Sequence, residues 1–179
     1  MQAVAGRVLA EGSGGPFDLV NGIPVHPLVV HAAVVLVPLT ALGLIVMAIW
    51  PRFSTRYGWL VVGSGVVATL ACFAAKQSGE VLEERVGDPG FEHADLGEVM
   101  PIVAGVMLIA VVVLWLIDRN APTDGAPARR GLRIVAAVAA VIIALGNLFW
   151  VVRVGDSGAK SVWSGRVALS NVGGDSDDD

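Results

Sequence analysis

Four long apolar stretches alternate along the chain with segments that carry its charged residues. The apolar stretches cover residues 28–50, 59–75, 99–117 and 134–152, and none of them contains Asp, Glu, Lys or Arg. Each is close to the roughly 20 residues that an α-helix needs to cross the hydrocarbon core of a bilayer. The pattern therefore predicts an all-α fold, an integral membrane four-helix bundle whose main partner is the lipid bilayer.

The composition supports a lipid environment. The chain of 179 residues is 55% hydrophobic and 16% charged, whereas soluble domains are usually about 25% charged. A soluble protein of this length could not remove so much apolar surface from water, since part of every fold stays exposed. The single cysteine, Cys72, excludes an internal disulfide and a cysteine-based metal cluster. The sequence has no basic patch with interleaved aromatic residues, so nucleic acid is not expected as a partner.

The two ends of the chain differ from the apolar stretches and predict extramembrane segments. Residues 1–27 mix Gly with Glu11 and Asp18, and they lack the basic start and immediate apolar run of a signal peptide. We expect them to form an extracytoplasmic N-terminal arm. The domain that follows, residues 28–153, would hold the four helices, and residues 154–179 would form an extracytoplasmic C-terminal segment with an acidic tail.

The basic residues predict how the helices are oriented in the membrane. Six arginines cluster in the two connections that follow the first and third apolar stretches: Arg52, Arg56, Arg119, Arg129, Arg130 and Arg133. The segment 76–98, on the opposite side, carries Lys76 and Arg85 against seven acidic residues. Because cytoplasmic loops are enriched in Lys and Arg, we expect the arginine-rich connections in the cytoplasm of a bacterium and both termini outside its inner membrane.

The first and third apolar stretches share an arrangement that suggests an internal repeat. They would run in the same direction through the membrane, and each begins near a histidine, His31 or His93. Each then contains a proline about two turns later, Pro38 or Pro101. We therefore expect two helical hairpins related by an axis along the membrane normal.

The histidines supply the candidate site, because an ionisable residue inside a membrane span is costly and is a functional candidate. We expect His31 and His93 to face the interior of the helix bundle, close to the outer surface of the membrane. Two parallel helices that each supply one inward imidazole could bind haem b through two axial ligands. A second hypothesis is a divalent transition metal held by His31, His93 and Glu80, a two-His, one-carboxylate set. A proton relay near a quinone or a redox partner is the third.

Simpler interpretations of the same residues stay open. A histidine near the membrane interface can also bond a loop carbonyl or a helix end at little cost, which would make His31 and His93 structural. His26, between Pro24 and Pro27, is interpreted as a loop residue. The competing functions are a structural or accessory membrane subunit without a cofactor and a small transporter. No Ser-His-Asp set, phosphate-binding loop or dinucleotide fingerprint in the sequence indicates an enzyme.

Three segments of the sequence resemble a known family. They are residues 21–31 (NGIPVHPLVVH), 78–86 (SGEVLEERV) and 92–98 (EHADLGE). In these segments the chain is similar to bacterial membrane proteins catalogued as domain of unknown function 2231, and the similarity covers about residues 20–155. The resemblance implies four transmembrane helices and no established activity. Because members are sometimes joined to redox modules, it also implies a membrane redox complex as a partner; a homo-oligomer is the other association that we consider.

Overall fold

The computed structural model describes the four apolar stretches and the segments next to them. The described residues are 19–20, 23–86, 91–121 and 127–172. Most of the predicted N-terminal arm and the acidic tail lie outside the described residues. The described part of the chain contains one short antiparallel strand pair and four long helices: β1 (Leu19–Val20), β2 (Ile23–Pro24), α1 (Val25–Ile49), α2 (Pro51–Val86), α3 (Phe91–Arg119) and α4 (Pro127–Val172).

The prediction of an all-α membrane bundle is confirmed, because four helices account for almost all of the described residues. All four are long and apolar enough to cross a membrane. The helices extend past the apolar stretches that predicted them, and α2 has 36 residues and α4 has 46. At a rise of 1.5 Å per residue α2 is about 54 Å long, whereas the hydrocarbon core is only about 30 Å thick. Both helices therefore continue beyond the core at the end where α1 and α3 begin.

The helices form a closed ring in chain order. Each of α1, α2 and α3 packs against the next helix, and α4 closes the ring against α1, so that α1 and α3 lie on one diagonal. The interior is built of fully buried apolar side chains, such as Val37, Leu44, Met107, Leu114 and Ala144. Large apolar residues, among them Ile102 (68% exposed) and Phe149 (64% exposed), cover the outer surface of the bundle. Lipid takes the place of water on that surface.

A hydrogen bond between two hydroxyl groups joins α1 and α2 inside the bundle. Oγ1 of Thr40 and Oγ of Ser64 lie 2.8 Å apart, and Thr40 is fully buried. Because hydrocarbon offers no partner to a polar group, this bond gives the two hydroxyls a partner that lipid could not supply. The helices approach closely here, since a Cβ added at Gly65 would lie 3.4 Å from Cγ2 of Thr40.

A buried ion pair stabilises the end of the bundle at which α1 and α3 end, and we call this the Arg133 end. Arg133, near the start of α4, donates from Nε to Oδ1 of Asp118 on α3 at 2.8 Å. Its Nη2 also donates to the carbonyl oxygens of Met47 and Ala48 in the last turn of α1, at 3.2 and 3.1 Å. The last carbonyls of a helix have no partner within the helix, so one guanidinium both satisfies them and ties three helices together. Asp118 is only 6% exposed, so its carboxylate depends on Arg133 for a partner. Arg133 therefore has a structural role in addition to its place in the arginine cluster that predicts the orientation in the membrane.

Candidate functional site

A cavity of about 600 Å³ opens where α1 and α3 begin, and we call this the cavity end of the bundle. All four helices contribute to its wall, and its inner part is apolar and includes the buried residues Cys72, Met100 and Val151. His26 and His93 also line it. Ligand pockets usually measure about 300–1,000 Å³ and combine an apolar wall with a few polar groups. The cavity therefore has the size and the lining of a ligand site.

His26 lies in the first turn of α1, and α2 holds its imidazole. Nδ1 of His26 lies 2.9 Å from the carbonyl oxygen of Ala75 and 3.4 Å from Oγ of Ser78. A carbonyl oxygen can only accept, so Nδ1 must carry the proton and donate it to Ala75. In the neutral ring Nε2 then keeps a lone pair.

His93 lies on α3, and α4 holds its imidazole. Nδ1 of His93 lies 3.1 Å from Oγ of Ser157, whose hydroxyl donates to the carbonyl oxygen of Val154 at 2.9 Å. A serine hydroxyl has one proton, and when Val154, the nearer acceptor, takes it, Nδ1 of His93 is the donor to Ser157. Nε2 of the neutral His93 therefore also keeps a lone pair. Within the described part of the chain, neither Nε2 has a hydrogen-bond partner.

A glycine on the neighbouring helix lies against each imidazole. A Cβ added at Gly79 would lie 3.2 Å from Cε1 of His26, and a Cβ added at Gly158 would lie 2.8 Å from Cε1 of His93. Real Cβ atoms essentially never approach another atom to less than 3.0 Å. His93 can therefore occupy its position only because residue 158 has no side chain.

The contacts of His26 and His93 are similar in the two hairpins, whereas the predicted repeat paired His31 with His93. In each hairpin the first helix provides the histidine and the second helix provides a Ser-Gly pair, Ser78-Gly79 or Ser157-Gly158. Because the helices form a ring in chain order, an axis along the bundle that exchanges α1 with α3 also exchanges α2 with α4. The histidine that corresponds to His93 is therefore His26.

His31 lies outside the cavity, which corrects the expectation that it faces inward. Its side chain is exposed, and its Nδ1 donates to the carbonyl oxygen of Pro27 one turn earlier in α1. The inward face of α1 runs through His26, Ala33 and Val37. A residue five positions after His26 falls about 140° away from that face. The structure thus brings His26, and not His31, together with His93.

His26 is the site residue that the sequence prediction missed. Because Pro24 and Pro27 flank it, the sequence favours a loop, whereas the structure places His26 in the first turn of α1. Proline is tolerated there because the first N–H groups of a helix have no partner within the helix. The sequence carries only a weak signal for the site, the Ser-Gly pairs at Ser78 and Ser157 just after the second and fourth apolar stretches, because Ser-Gly also occurs at Ser13, Ser64 and Ser164.

The rim of the cavity is acidic. Glu80 and Glu83 of α2 and Asp95 and Glu98 of α3 line it, and Lys76 is the only Lys or Arg among the described lining residues. Lys76 bridges the two helices, with its Nζ 3.0 Å from Oε1 of Glu98 and 3.9 Å from Oε1 of Glu80. This excess of negative charge raises the local concentration of cations at the mouth of the cavity.

The structure places the predicted metal ligand Glu80 in the same cavity as His93, but at its exposed rim. In the part of the chain that the structure describes, no group of three His, Cys, Asp or Glu side chains could hold a metal ion. His31, the third residue of the predicted set, does not line the cavity. The described residues therefore offer two imidazoles and no third protein ligand.

A protein family described as "Predicted membrane protein (DUF2231)" matches residues 22–171. The matched region contains α1, α2 and α3 and all but the last residue of α4, and it includes both histidines that line the cavity. No curated protein and no solved structure matches the chain.

Proposed function

The chain belongs to the DUF2231 family of predicted membrane proteins, and we propose that it carries electrons through a haem b that His26 and His93 would hold at the cavity end. One observation carries the proposal. His26 and His93 lie on the diagonally placed helices α1 and α3 and line one cavity, and each ring is bonded at Nδ1 by the next helix, which leaves Nε2 for a ligand. Imidazoles supplied in this way are common axial ligands of haem iron.

Two protein ligands suit a haem better than a bare metal ion. The porphyrin already supplies most of the ligands of the iron, so a haem would need no more than two from the protein. Bare zinc or copper ions usually take at least three protein ligands, and the described residues bring no third one to His26 and His93. The apolar wall around Cys72, Met100 and Val151 suits the apolar face of a macrocycle.

The chain's own residues would hold the haem and tune it. The hydrogen bonds from Nδ1 of His26 and of His93 fix the orientation and the tautomer of each ring, and such bonds raise the basicity of an imidazole ligand. When bound, the haem supplies one-electron transfer. Because the cavity lies at one end of the bundle, electrons would be exchanged with a partner on that side of the membrane, and a membrane redox complex is the partner that we propose.

The cavity end, in this proposal, faces the outside of a bacterial inner membrane. Arg52 and Arg56 lie in the first turns of α2, and Arg119 and Arg129 lie close to the Arg133 end as well. The rim of the cavity at the other end is acidic. The enrichment of basic residues in cytoplasmic segments then puts the Arg133 end in the cytoplasm and both termini outside.

A divalent transition metal is the second candidate, and the acidic rim is the observation that favours it. Carboxylates such as Glu80 attract cations toward the mouth of the cavity. Imidazole together with carboxylate or water suits several first-row metals. His31 takes no part in either version, because it lies outside the cavity. The experiments below test haem binding and metal binding against two other functions, an accessory subunit without a cofactor and a small transporter.

An absorption spectrum of the detergent-purified protein, expressed with added haem, tests the proposal. We expect a Soret band that sharpens and shifts on reduction with dithionite, and metal analysis of the same sample distinguishes haem iron from a bare metal ion. His26→Ala and His93→Ala should each lose the pigment, whereas the matched control His31→Ala, on the same helix as His26, should keep it.

Three results would overturn parts of the proposal. A colourless and metal-free wild type, purified intact, would refute both cofactors and favour an accessory subunit. Loss of pigment in His31→Ala with retention in His26→Ala would overturn the assignment of the ligands. Stoichiometric metal without pigment, lost in Glu80→Ala, would favour the second candidate over haem.

A further inference from the structure

We infer that Ser157 is a positioning residue for His93: its hydroxyl fixes His93 as the Nδ1–H tautomer and so keeps the lone pair of Nε2 available to a ligand. Ser78, in the equivalent Ser-Gly pair on α2, has no such role for His26. The inference rests on the proposed function, because it assigns Nε2 to ligand binding. The tautomer itself can be measured without any ligand.

The direction of the hydrogen bonds at Ser157 follows from the number of protons. Oγ of Ser157 lies 2.9 Å from the carbonyl oxygen of Val154 and 3.1 Å from Nδ1 of His93. The hydroxyl has one proton to give, and because the carbonyl oxygen of Val154 is the nearer acceptor we assign the proton to that bond, which leaves only lone pairs for His93. A His93 ring with its proton on Nε2 would require the hydroxyl to turn away from Val154 and donate to Nδ1 instead. Ser157 is 9% exposed, so little room is left for water to replace its hydroxyl.

No second acceptor faces Nδ1 of His93 among the described residues, where Ser157 is its one hydrogen-bond partner. When Ser157 is replaced by Ala, this contact no longer distinguishes the two tautomers of His93. A fraction of the molecules would then present an N–H instead of a lone pair at Nε2. Since the apparent dissociation constant rises as the competent fraction falls, equal populations of the tautomers would raise it about twofold.

His26 does not depend on a side chain in this way. Its Nδ1 donates to the backbone carbonyl of Ala75 at 2.9 Å, and Oγ of Ser78 is farther away at 3.4 Å. The hydroxyl of Ser78 has its own acceptor, the carbonyl oxygen of Ala74, at 2.7 Å. Replacing Ser78 by Ala leaves the backbone acceptor of His26 in place. Ser78→Ala is therefore the matched control for Ser157→Ala.

Nitrogen NMR of the full-length protein, labelled in its histidine rings and free of haem, tests the inference at a pH above the usual histidine pKa. The signals are assigned by their loss in His26→Ala, His31→Ala and His93→Ala. We expect the Nδ1–H tautomer of His93 in the wild type and in Ser157→Thr, which keeps a hydroxyl, and a mixture of tautomers in Ser157→Ala. The signal of His26 should not change in Ser78→Ala.

An unchanged His93 signal in Ser157→Ala overturns the inference, as does a change of the His26 tautomer in Ser78→Ala. If Ser157→Ala does not fold, Ser157→Cys replaces it, because a thiol has a similar size and is a weak acceptor. A mixed His93 tautomer in Ser157→Ala, together with a wild type that takes up no haem, would support the positioning role and refute haem binding. In haem-loaded protein Ser157→Ala should raise the reduction potential, since losing the Nδ1–H bond makes the imidazole a weaker donor.

Discussion

The substitution Gly158→Ala places a methyl group against the ring of His93. Its Cβ would lie 2.8 Å from Cε1 and 3.1 Å from Nδ1 of His93, whereas ordinary contact starts at 3.4 Å. The ring must therefore move by about 0.6 Å. The hydrogen bond from Nδ1 to Ser157, now 3.1 Å long, would lengthen toward a distance at which such a bond is weak or lost.

The energetic cost of Gly158→Ala has three contributions. Forcing a methyl group into an occupied contact costs about 1–3 kcal/mol, and losing the hydrogen bond to Ser157 costs about 1 kcal/mol. Alanine is a better helix former than glycine by about 1 kcal/mol, which offsets the second contribution. We therefore expect the free energy of unfolding to fall by about 1–3 kcal/mol. Because His93 moves, haem-loaded Gly158→Ala should also lose pigment or show a shifted Soret band.

Gly155→Ala is the matched control, on the same helix and three residues earlier. No neighbouring atom of the described residues lies within 4 Å of its added Cβ, so its free energy of unfolding should stay the same or rise by up to about 1 kcal/mol. Gly79→Ala, with its Cβ 3.2 Å from Cε1 of His26, should fall between the two. An SDS titration in mixed micelles, followed by far-ultraviolet circular dichroism, measures the differences. Equal stabilities of Gly158→Ala and Gly155→Ala would refute the reasoning that glycine is needed beside His93.

Three further predictions concern contacts away from the histidines, and the same SDS titration measures each. Arg133→Met should lower the free energy of unfolding by about 3–5 kcal/mol, because it leaves the buried carboxylate of Asp118 unpaired. Adding Asp118→Asn should recover part of this loss. A loss below about 1 kcal/mol in Arg133→Met would mean that the carboxylate is solvated. Thr40→Val should cost between about 0.6 and 2 kcal/mol, as hydrogen bonds between membrane helices do, and no loss at all would contradict the bond. Lys76→Ala should cost less than about 1 kcal/mol, because its partner Glu98 is exposed, and a larger loss would show that the bridge holds α2 to α3.

The number of membrane helices was predictable from the sequence because hydrocarbon excludes charge. Runs without any charged residue, such as 99–117, mark the part of each helix that lies in lipid. The ends of the helices were not predictable in this way, since an apolar run stops at its first charged residue and a helix does not. Lys76 with Glu80 on α2, and Lys160 with Asp156 on α4, pair one turn apart and suit a helix in water.

The direction in which each histidine points was not predictable, because a helix that is apolar on all sides has no polar face to show which side meets its neighbours. On α1, Val34 and Val35 are 50% and 64% exposed, whereas Val37 is fully buried, although the three residues are identical. The apolar pattern therefore could not show that His31 faces outward. The contact between His26 and α2 supplies the missing information.

The charge pattern predicted an orientation in the membrane but no contact within the bundle. Arg133 belongs to the same cluster as Arg129 and Arg130, which are both exposed. Only the packing of α4 against α1 and α3 sets Arg133 apart, because it places the guanidinium between Asp118 and the last carbonyls of α1. The position of this guanidinium depends on the packing of three helices, and a local pattern in the sequence cannot predict it.

Two similar Ser-Gly pairs place two histidines in one cavity, but they do not hold them in chemically equal ways. His26 donates to the backbone carbonyl of Ala75, which no side-chain substitution removes, whereas His93 donates to the hydroxyl of Ser157, which one substitution removes. A carbonyl oxygen is also the stronger acceptor, so His26 would be the more basic of the two ligands. One imidazole is thus held by the backbone of α2 and the other by a side chain of α4. If both bind one cofactor, residue 157 is the position at which the strength of a ligand can change while the other ligand and the fold stay as they are.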